Sequence, residues 1–447
     1  MEDTIVAVST ALGEGAISII RVSGNESISI VNSIFKGCDL EKVSSHTINY
    51  GHIIYNNEII DEVLLSIMRA PKTYTREDII EINTHGSIAV VNKIMEILLL
   101  SGCRLAEPGE FTKRAFLNGR IDLTESEGVM DLINSETELT RKMAINELSG
   151  NVSNLIKNLR TDIVSLISNI EVNIDYPEYE DIEIVTINKI KEKTKIMKNK
   201  LQEILKLSED GKILKDGIKT IILGKPNVGK SSLLNALLEE EKAIVTNVKG
   251  TTRDIVEGNI IIGGIKLNLI DTAGVRESDD IIEKIGIEKS LKLIDESDLI
   301  LLVLDATEEL NKEDKYLLEK TKDKKRIIIM NKTDLSIKNE YDDEIIKISA
   351  KNNKGIDKVK DKIKELFNVG TFMKKDLTFF TNIRQISLLK SALESLEDVE
   401  KAIENNMEID MVEIDLKLVW EKLGDIIGAN YTEELVNDLF SRFCLGK

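Results

Sequence analysis

Residues Gly224 to Ser231 read Gly-Lys-Pro-Asn-Val-Gly-Lys-Ser, and no other stretch of the chain narrows the fold so far. This is the G-x-x-x-x-G-K-S spacing, in which a glycine-rich loop wraps a phosphate at a helix N-terminus. The apolar run Thr220-Ile221-Ile222-Leu223 precedes it, and Ser232-Leu233-Leu234-Asn235-Ala236-Leu237 follows. Strand, glycine loop and helix therefore come in the order the motif requires. Backbone N–H groups around Gly229 are expected on the β-phosphate, Lys230 supplies a point charge to the β- and γ-phosphates, and Ser231 supplies a hydroxyl to Mg²⁺.

Three further segments lie in order behind the loop. Asp271-Thr272-Ala273-Gly274 follows the apolar run 267–270, so a carboxylate sits at a strand end where it holds the metal through water, and Gly274 offers its N–H to the γ-phosphate. Asn331-Lys332-Thr333-Asp334 follows Ile327-Ile328-Ile329-Met330. The two oxygens of Asp334 match the two N–H donors on the Watson–Crick edge of guanine, a pair that adenine lacks. Ser349-Ala350-Lys351 is placed to complete the base pocket by backbone donation to guanine O6. Apolar runs at 220–223, 260–262, 267–270, 299–304, 326–330 and 345–348 alternate with helical stretches, the pattern of a doubly wound sheet. Gly263-Gly264 between two of the runs predicts a hairpin. Residues 216–370 thus read as a GTP-binding domain.

In Ras-like GTPases the residue after D-x-x-G is a water-orienting glutamine; here it is Val275. Another group must position water and offset the developing charge. Asn227, inside the loop, carries a carbonyl oxygen suited to a cation, and Gly250-Thr251-Thr252-Arg253-Asp254 occupies the place of a mobile switch segment.

G-K-P-N-V-G-K-S, G-T-T-R-D, D-T-A-G, N-K-T-D and S-A-K together resemble the TrmE/Era/EngA-type GTPases. The flanking regions resemble the tRNA-modifying branch of that family. The likeness rests on Thr4-Ile5-Val6-Ala7, Ile19 to Gly24, Tyr74-Thr75-Arg76-Glu77-Asp78, Thr84-His85-Gly86, the run Pro108 to Gly119 and the terminal Cys444-Leu445-Gly446-Lys447. It covers essentially the whole chain.

The resemblance implies K⁺ beside the phosphates, held by Asn227, Thr246, Val248 and Thr251, its charge replacing an arginine finger. Mg²⁺ is implied on Ser231 and Thr252. The nucleotide contacts carried over are Asn227, Val228, Gly229, Lys230, Ser231 and Ser232 in the loop. They continue through Thr246, Asn247, Val248, Lys249, Gly250, Thr251 and Thr252, then Asp271, Thr272, Ala273 and Gly274. Asn331, Lys332, Thr333, Asp334, Ser349, Ala350 and Lys351 complete the set. The catalytic carboxylate falls on Glu283, which the sequence alone does not single out among 78 acidic residues. A tetrahydrofolate, 5-formyl or 5,10-methylene, is implied on Arg21, Glu81, Arg120 and Lys447. Glu81 suits the amino and ring N–H groups of a pterin, while the cationic side chains suit its glutamate tail. Taken singly, each of these is an ordinary surface charge. Where the family often has glycine before Glu77, this chain has Arg76.

The fold class expected is multidomain: an α+β N-terminal folate-binding and dimerising domain (1–118), a helical domain in two parts (119–215 and 371–447), and an inserted Ras-like GTPase domain (216–370). Length supports two to four domains in 447 residues. Within the helical part, Thr124-Glu125-Ser126-Glu127 reads as a capping box. Residues 152–170 recur apolar at three and four, and Lys189 to Lys200 reads either as a local basic patch or, with Ile190, Ile196 and Met197 at helical spacing, as an amphipathic helix with a solvated face, the commoner case. Tyr176 to Asp181 breaks the helical run, a helix follows to about residue 207, and Ser208-Glu209-Asp210-Gly211 reads as a connector. Helical spacing resumes from Ile386, with further helices at 415–427 and 432–443.

No apolar run approaches the roughly 20 residues of a membrane span, and the N-terminus lacks the basic stretch followed by an apolar one of a secretory signal, so the expected compartment is cytoplasmic. Three scattered cysteines and three histidines show neither disulfide nor zinc spacing. A net charge of −18 disfavours bulk electrostatic gripping of nucleic acid. A tRNA must meet a local basic patch or be held by another subunit. The family supplies one, the FAD-dependent MnmG (GidA), and the implied assembly is a homodimer joined with it. The implied activity is K⁺-dependent GTP hydrolysis coupled to modification of C5 of the wobble uridine of certain tRNAs, as a carboxymethylaminomethyl or aminomethyl group. An Era/EngA-like ribosome-assembly GTPase is the alternative, although no basic G-x-x-G module follows residue 370. A folate-binding scaffold with a slow GTP switch is another.

Overall fold

The computed structural model describes residues 3–175, 187–239, 258–270, 292–338, 344–372, 378–405, 407 and 409–446. Its contacts divide the chain into two units. One comprises Met1–Met130, Ile156–Arg160 and Trp420–Lys447; the other comprises Asp131–Leu155 and Thr161–Val419.

The first unit is built on a seven-stranded sheet of β1 (Ile5–Val8), β2 (Gly15–Ser23), β3 (Phe35–Lys36), β4 (Thr47–Tyr55), β5 (Glu58–Met68), β6 (Ile79–Gly86) and β7 (Arg104–Leu105), in the order β3-β4-β5-β6-β2-β1-β7. Every pairing is antiparallel except β1 with β7. Period-two alternation turns Ile20, Val22, Leu65, Ile67, Ile80 and Ile82 toward the helices Ser27–Ile34 and Ile88–Leu100, where they form one core. The opposite face carries Arg21, Glu81 and Asn83 together with exposed Ile17, Ile48, Tyr50 and Leu64. Arg21 pairs in register with Glu81.

The Pro108–Gly119 run has an architectural role. The buried Arg114 guanidinium meets Asp3 at 2.8 Å, Glu110 at 3.0 Å and Glu77 at 3.2 Å, and Arg104 meets Glu110 at 2.5 Å and Asp3 at 2.6 Å. Two guanidiniums share three carboxylates, so no buried charge is left alone. Gly109 adopts φ 68°, and a Cβ there would lie 2.6 Å from the Phe440 carbonyl. Phe116, Leu123, Val436, Phe440 and Phe443 form a second apolar cluster in this unit. Arg76 stands at φ 63°, which accounts for the glycine common at this place in the family; its Nη1 donates to the Asn118 carbonyl at 2.9 Å.

The capping box lies two residues earlier than the sequence reading. Asp122 Oδ1 accepts from the Glu125 N–H at 3.1 Å, and Glu125 Oε2 accepts from the Asp122 N–H at 2.8 Å. The rule S/T-x-x-E fits Thr124 by letter, but Asp122 caps as well as serine and sits at the actual turn.

The second unit contains a six-stranded sheet of β8 (Ile218–Leu223), β9 (Gly258–Ile262), β10 (Ile265–Leu269), β11 (Leu299–Asp305), β12 (Arg326–Asn331) and β13 (Ile345–Lys347), ordered β13-β12-β11-β8-β10-β9. Only β9 and β10 pair antiparallel, through a turn in which Gly263 and Gly264 both have positive φ. β11 is fully buried, with apolar cores on its two sides, as a central parallel strand must be.

The helices before and after this sheet in sequence pack on one another. Helix Ile187–Asp216 lies along helix Ile383–Glu404, and Lys198 Nζ reaches Glu400 at 2.7 Å and Glu397 at 3.4 Å. Three expectations change here. Ser208 to Gly211 is no connector, because the helix runs through it to Asp216; Ser208 Oγ donates to the Ile204 carbonyl and accepts from the Phe380 N–H at 2.8 Å, and Gly211 makes room for Phe379. Ile196 is exposed while Thr194 is buried, so the packed stripe runs Ile190, Thr194, Met197, Leu201. The helix placed at 415–427 begins earlier, at Ile409. Tyr176 to Asp181 lie outside the described residues.

Candidate functional site

β8 delivers the chain into the glycine loop, and helix Lys230–Glu239 leaves it. Asn227 takes φ 65° and Gly229 φ 96°. A Cβ at Gly229 would lie 2.3 Å from Asn331 Nδ2, so glycine is required there by packing as well as by φ. Val228 is buried and anchors the loop in the core. Lys230 Nζ donates to the carbonyls of Gly224 at 2.7 Å and Lys225 at 2.9 Å, and burial pushes its ammonium below its ordinary pKa. Ser231 and Ser232 are exposed in the first turn of the helix.

Asn331, at the end of β12, joins the two halves of the site. Its Nδ2 donates to the Val228 carbonyl at 2.9 Å, and its Oδ1 accepts from the Ala350 N–H at 3.0 Å. Lys332, at φ 64°, pairs with Asp305 at 2.6 Å. Burial acts to raise the Asp305 carboxyl, but Lys332 and Thr307 outweigh it and hold the group below its ordinary pKa. Thr333 Oγ1 donates to the Ile348 carbonyl at 2.8 Å, tying β12 to the segment after β13. Ser349 Oγ donates to Asp334 Oδ1 at 2.7 Å, and this bond leads the lowering of the exposed Asp334 carboxyl. A fixed, ionised Asp334 at the mouth of the site is what two N–H donors of a base require.

The Ala350 N–H donates to Asn331 Oδ1 at 3.0 Å and the Ser349 N–H to the Lys354 carbonyl at 3.0 Å, so Asn331 and Lys354 hold the Ser349-Ala350-Lys351 segment in place beside Asp334. Thr246, Asn247, Val248, Lys249, Gly250, Thr251, Thr252, Asp271, Thr272, Ala273, Gly274, Glu283 and Lys447 lie outside the described residues.

In the first unit, Arg21 Nη2 meets Glu81 Oε1 at 2.8 Å, and Arg21 Nη1 donates to the Gly446 carbonyl at 3.2 Å. Ser9 Oγ donates to the same carbonyl at 3.1 Å. The Arg120 guanidinium lies over the Tyr74 ring at 4.6 Å, and that of Arg21 lies 5.8 Å from the same ring. Three of the four expected folate residues thus share one aromatic neighbourhood with the C-terminal segment. Cys444 is exposed, whereas Cys103 is buried and its thiol is pushed up to about 12, which leaves it unreactive.

Tyr74, Ser9 and Asp305 were given no role from sequence. Asp305 had a signal, a carboxylate closing a buried apolar strand, which is the same logic that singled out Asp271. Ser9 had none.

The fold and the loop define a P-loop nucleotide-binding protein with a guanine-type base site. Two family models match the chain: the GTP-binding protein TrmE N-terminus over residues 4–120 and the MnmE helical domain over residues 123–444. The tRNA modification GTPase MnmE of Streptococcus thermophilus is 54% identical over 450 residues, covering 100% of this chain and 98% of its own length. That of Streptococcus gordonii is 53% identical over 452 residues (100% and 99%), and that of Ligilactobacillus salivarius 52% over 455 (100% and 98%). This chain belongs to the MnmE (TrmE) family of tRNA modification GTPases. Among the described residues no helix is long and apolar enough to cross a membrane.

Proposed function

We propose that this GTPase is K⁺-dependent and, with MnmG (GidA), modifies C5 of the wobble uridine of certain tRNAs using a one-carbon unit from 5-formyl- or 5,10-methylene-tetrahydrofolate. The observation that carries the reading is the Asn331 bridge, which couples a phosphate loop to a guanine-type carboxylate in a chain that matches its family end to end.

The residues present fit the ions. Asn227 is exposed on the loop at φ 65°, so its amide oxygen is free to turn toward a phosphate-side cation, and Ser231 offers a hydroxyl in the first helical turn for Mg²⁺. K⁺ supplies positive charge where Val275 replaces a water-orienting glutamine. Thr246, Val248, Thr251, Thr252 and Glu283 enter on the family resemblance. The first unit fits a folate in the same sense. Glu81 accepts from pterin N–H groups, Tyr74 offers a stacking face, and Arg21 and Arg120, with Lys447 on the resemblance, meet carboxylates. Exposed Ile17, Ile48, Tyr50 and Leu64 on the same sheet face support a homodimer through this unit. The described parts of the chain work in the cytoplasm in this reading.

GTP turnover measured in KCl against NaCl at equal ionic strength tests the cation. Hydrolysis several-fold faster in KCl is expected; equal rates overturn the K⁺ reading. Titration with 5-formyl-tetrahydrofolate tests the other site, and absence of saturable binding overturns it.

A further inference from the structure

The two halves of the phosphate loop are held differently. Asn331 holds the second half through the Val228 carbonyl. A buried lysine holds the first. Lys225 is 9% exposed, although lysine ordinarily keeps its ammonium in water. Its Nζ donates to Glu308 Oε2 at 2.7 Å and lies 3.5 Å from Asp314 Oδ2. Asp314 is 2% exposed, and its Oδ1 has no hydrogen-bond partner among the described residues. A carboxylate buried in that state needs a cation beside it. Asp314 is also the third residue of helix Lys312–Lys320 and closes a capping box with the N-cap Asn311, exchanging bonds with it, so it is fixed in place. The main chain of Lys225 meanwhile accepts from Lys230 Nζ at 2.9 Å. One residue therefore ties the phosphate-binding ammonium, through its backbone, to the segment that follows β11, through its side chain.

We propose that Lys225 is a positioning residue for nucleotide binding: its ammonium neutralises the buried Asp314 carboxylate, an electrostatic latch that keeps that acid's charge off the phosphates, with Glu308 as a second partner. Glu308 is mostly exposed and contributes the smaller share. Asp314 carries the main effect. The inference rests on reading the loop as the GTP site and is independent of the cation used in hydrolysis.

Affinity for mant-GDP, with GTP KM and kcat, measured on the full chain in NaCl tests the latch. Lys225→Met weakens mant-GDP binding by about tenfold or more and raises KM more than it lowers kcat. Lys225→Arg retains binding to within about threefold, since charge is kept while the fork geometry changes. Adding Asp314→Asn to Lys225→Met recovers most of the loss, because the unbalanced acid is gone. Asp314→Asn alone, in which the Lys225 charge is no longer offset, binds more tightly than the parent, and this reading survives even if Lys225→Met fails to fold. Unchanged binding in Lys225→Met, a double variant no better than the single one, or weaker binding in Asp314→Asn overturns the latch. A parent protein that does not bind mant-GDP at all would instead sink the nucleotide reading beneath it.

Discussion

The phosphate loop and the Arg21–Glu81 cluster are both polar sites, but they are made from different parts of the chain. The loop is mostly main chain: Lys230 is held by two carbonyls, Gly229 is fixed by φ and by lack of room, and Val228 is gripped through its carbonyl. The cluster is mostly side chain, a carboxylate and two arginines about one tyrosine ring, with a single backbone carbonyl from Gly446. A main-chain site is specified by a few residues whose backbone cannot be substituted. A side-chain site is specified by residues whose types are common and whose meaning lies in where distant segments meet.

That contrast can be broken at several points. Lys230→Ala should cost most, on the order of a hundredfold or more in GTP turnover, since no main-chain group replaces its charge; a loss below about tenfold would contradict the loop assignment. Asn331→Ala removes two bonds to buried partners at roughly 1–3 kcal/mol each, so GDP affinity should fall on the order of a hundredfold by fluorescence titration. Arg21→Ala should weaken 5-formyl-tetrahydrofolate binding by about tenfold, read by calorimetry, and leave Glu81 unpaired; undiminished affinity would move the pterin elsewhere. Arg76→Gly should be more stable than Arg76→Ala by about 1 kcal/mol in urea, because both lose the Asn118 bond and only glycine sheds the left-handed strain; the reverse order would mean the φ is not strained.

The smallest effect concerns His85. Its Nδ1 lies 2.7 Å from Asp61 Oδ1, and this hydrogen bond and charge raise the imidazole above its ordinary 6.5. A raised folded-state pKa adds stability below about 6.5 that is lost as pH climbs through the higher folded value. Asp61→Asn should flatten that slope between pH 6 and 8 in thermal unfolding; an unchanged slope would assign it to another group.

The same contrast explains what could be read from sequence. All six strands of the nucleotide sheet were visible: central parallel strands such as β11 and β12 are unbroken apolar runs, and β9 and β10 flank a glycine pair. The hairpin was visible in Gly263-Gly264, where only positive φ fits. By contrast, nothing local marks Ser9 or Tyr74, and Arg21, Glu81 and Arg120 became candidates only by resemblance. The helical readings changed for two physical reasons. Serine and glycine at 208 and 211 look like breakers, yet tertiary packing on Phe380 and Phe379 outweighs their weak propensity. Thr194 took the place of Ile196 because helix phase decides which side faces inward, and a small polar threonine packs there in phase with Ile190, Met197 and Leu201.

One amide group at residue 331 holds the Val228 carbonyl on one side and the Ala350 N–H on the other. The reader of the base and the gripper of the triphosphate are thereby not separate instruments. In the proposed reading, a purine that seated badly against Asp334 would disturb the Ala350 segment, and the disturbance would reach the phosphates through a single side chain. Discrimination against the wrong nucleotide should consequently appear as a slacker hold on its phosphate tail as well as a poorer fit at its ring.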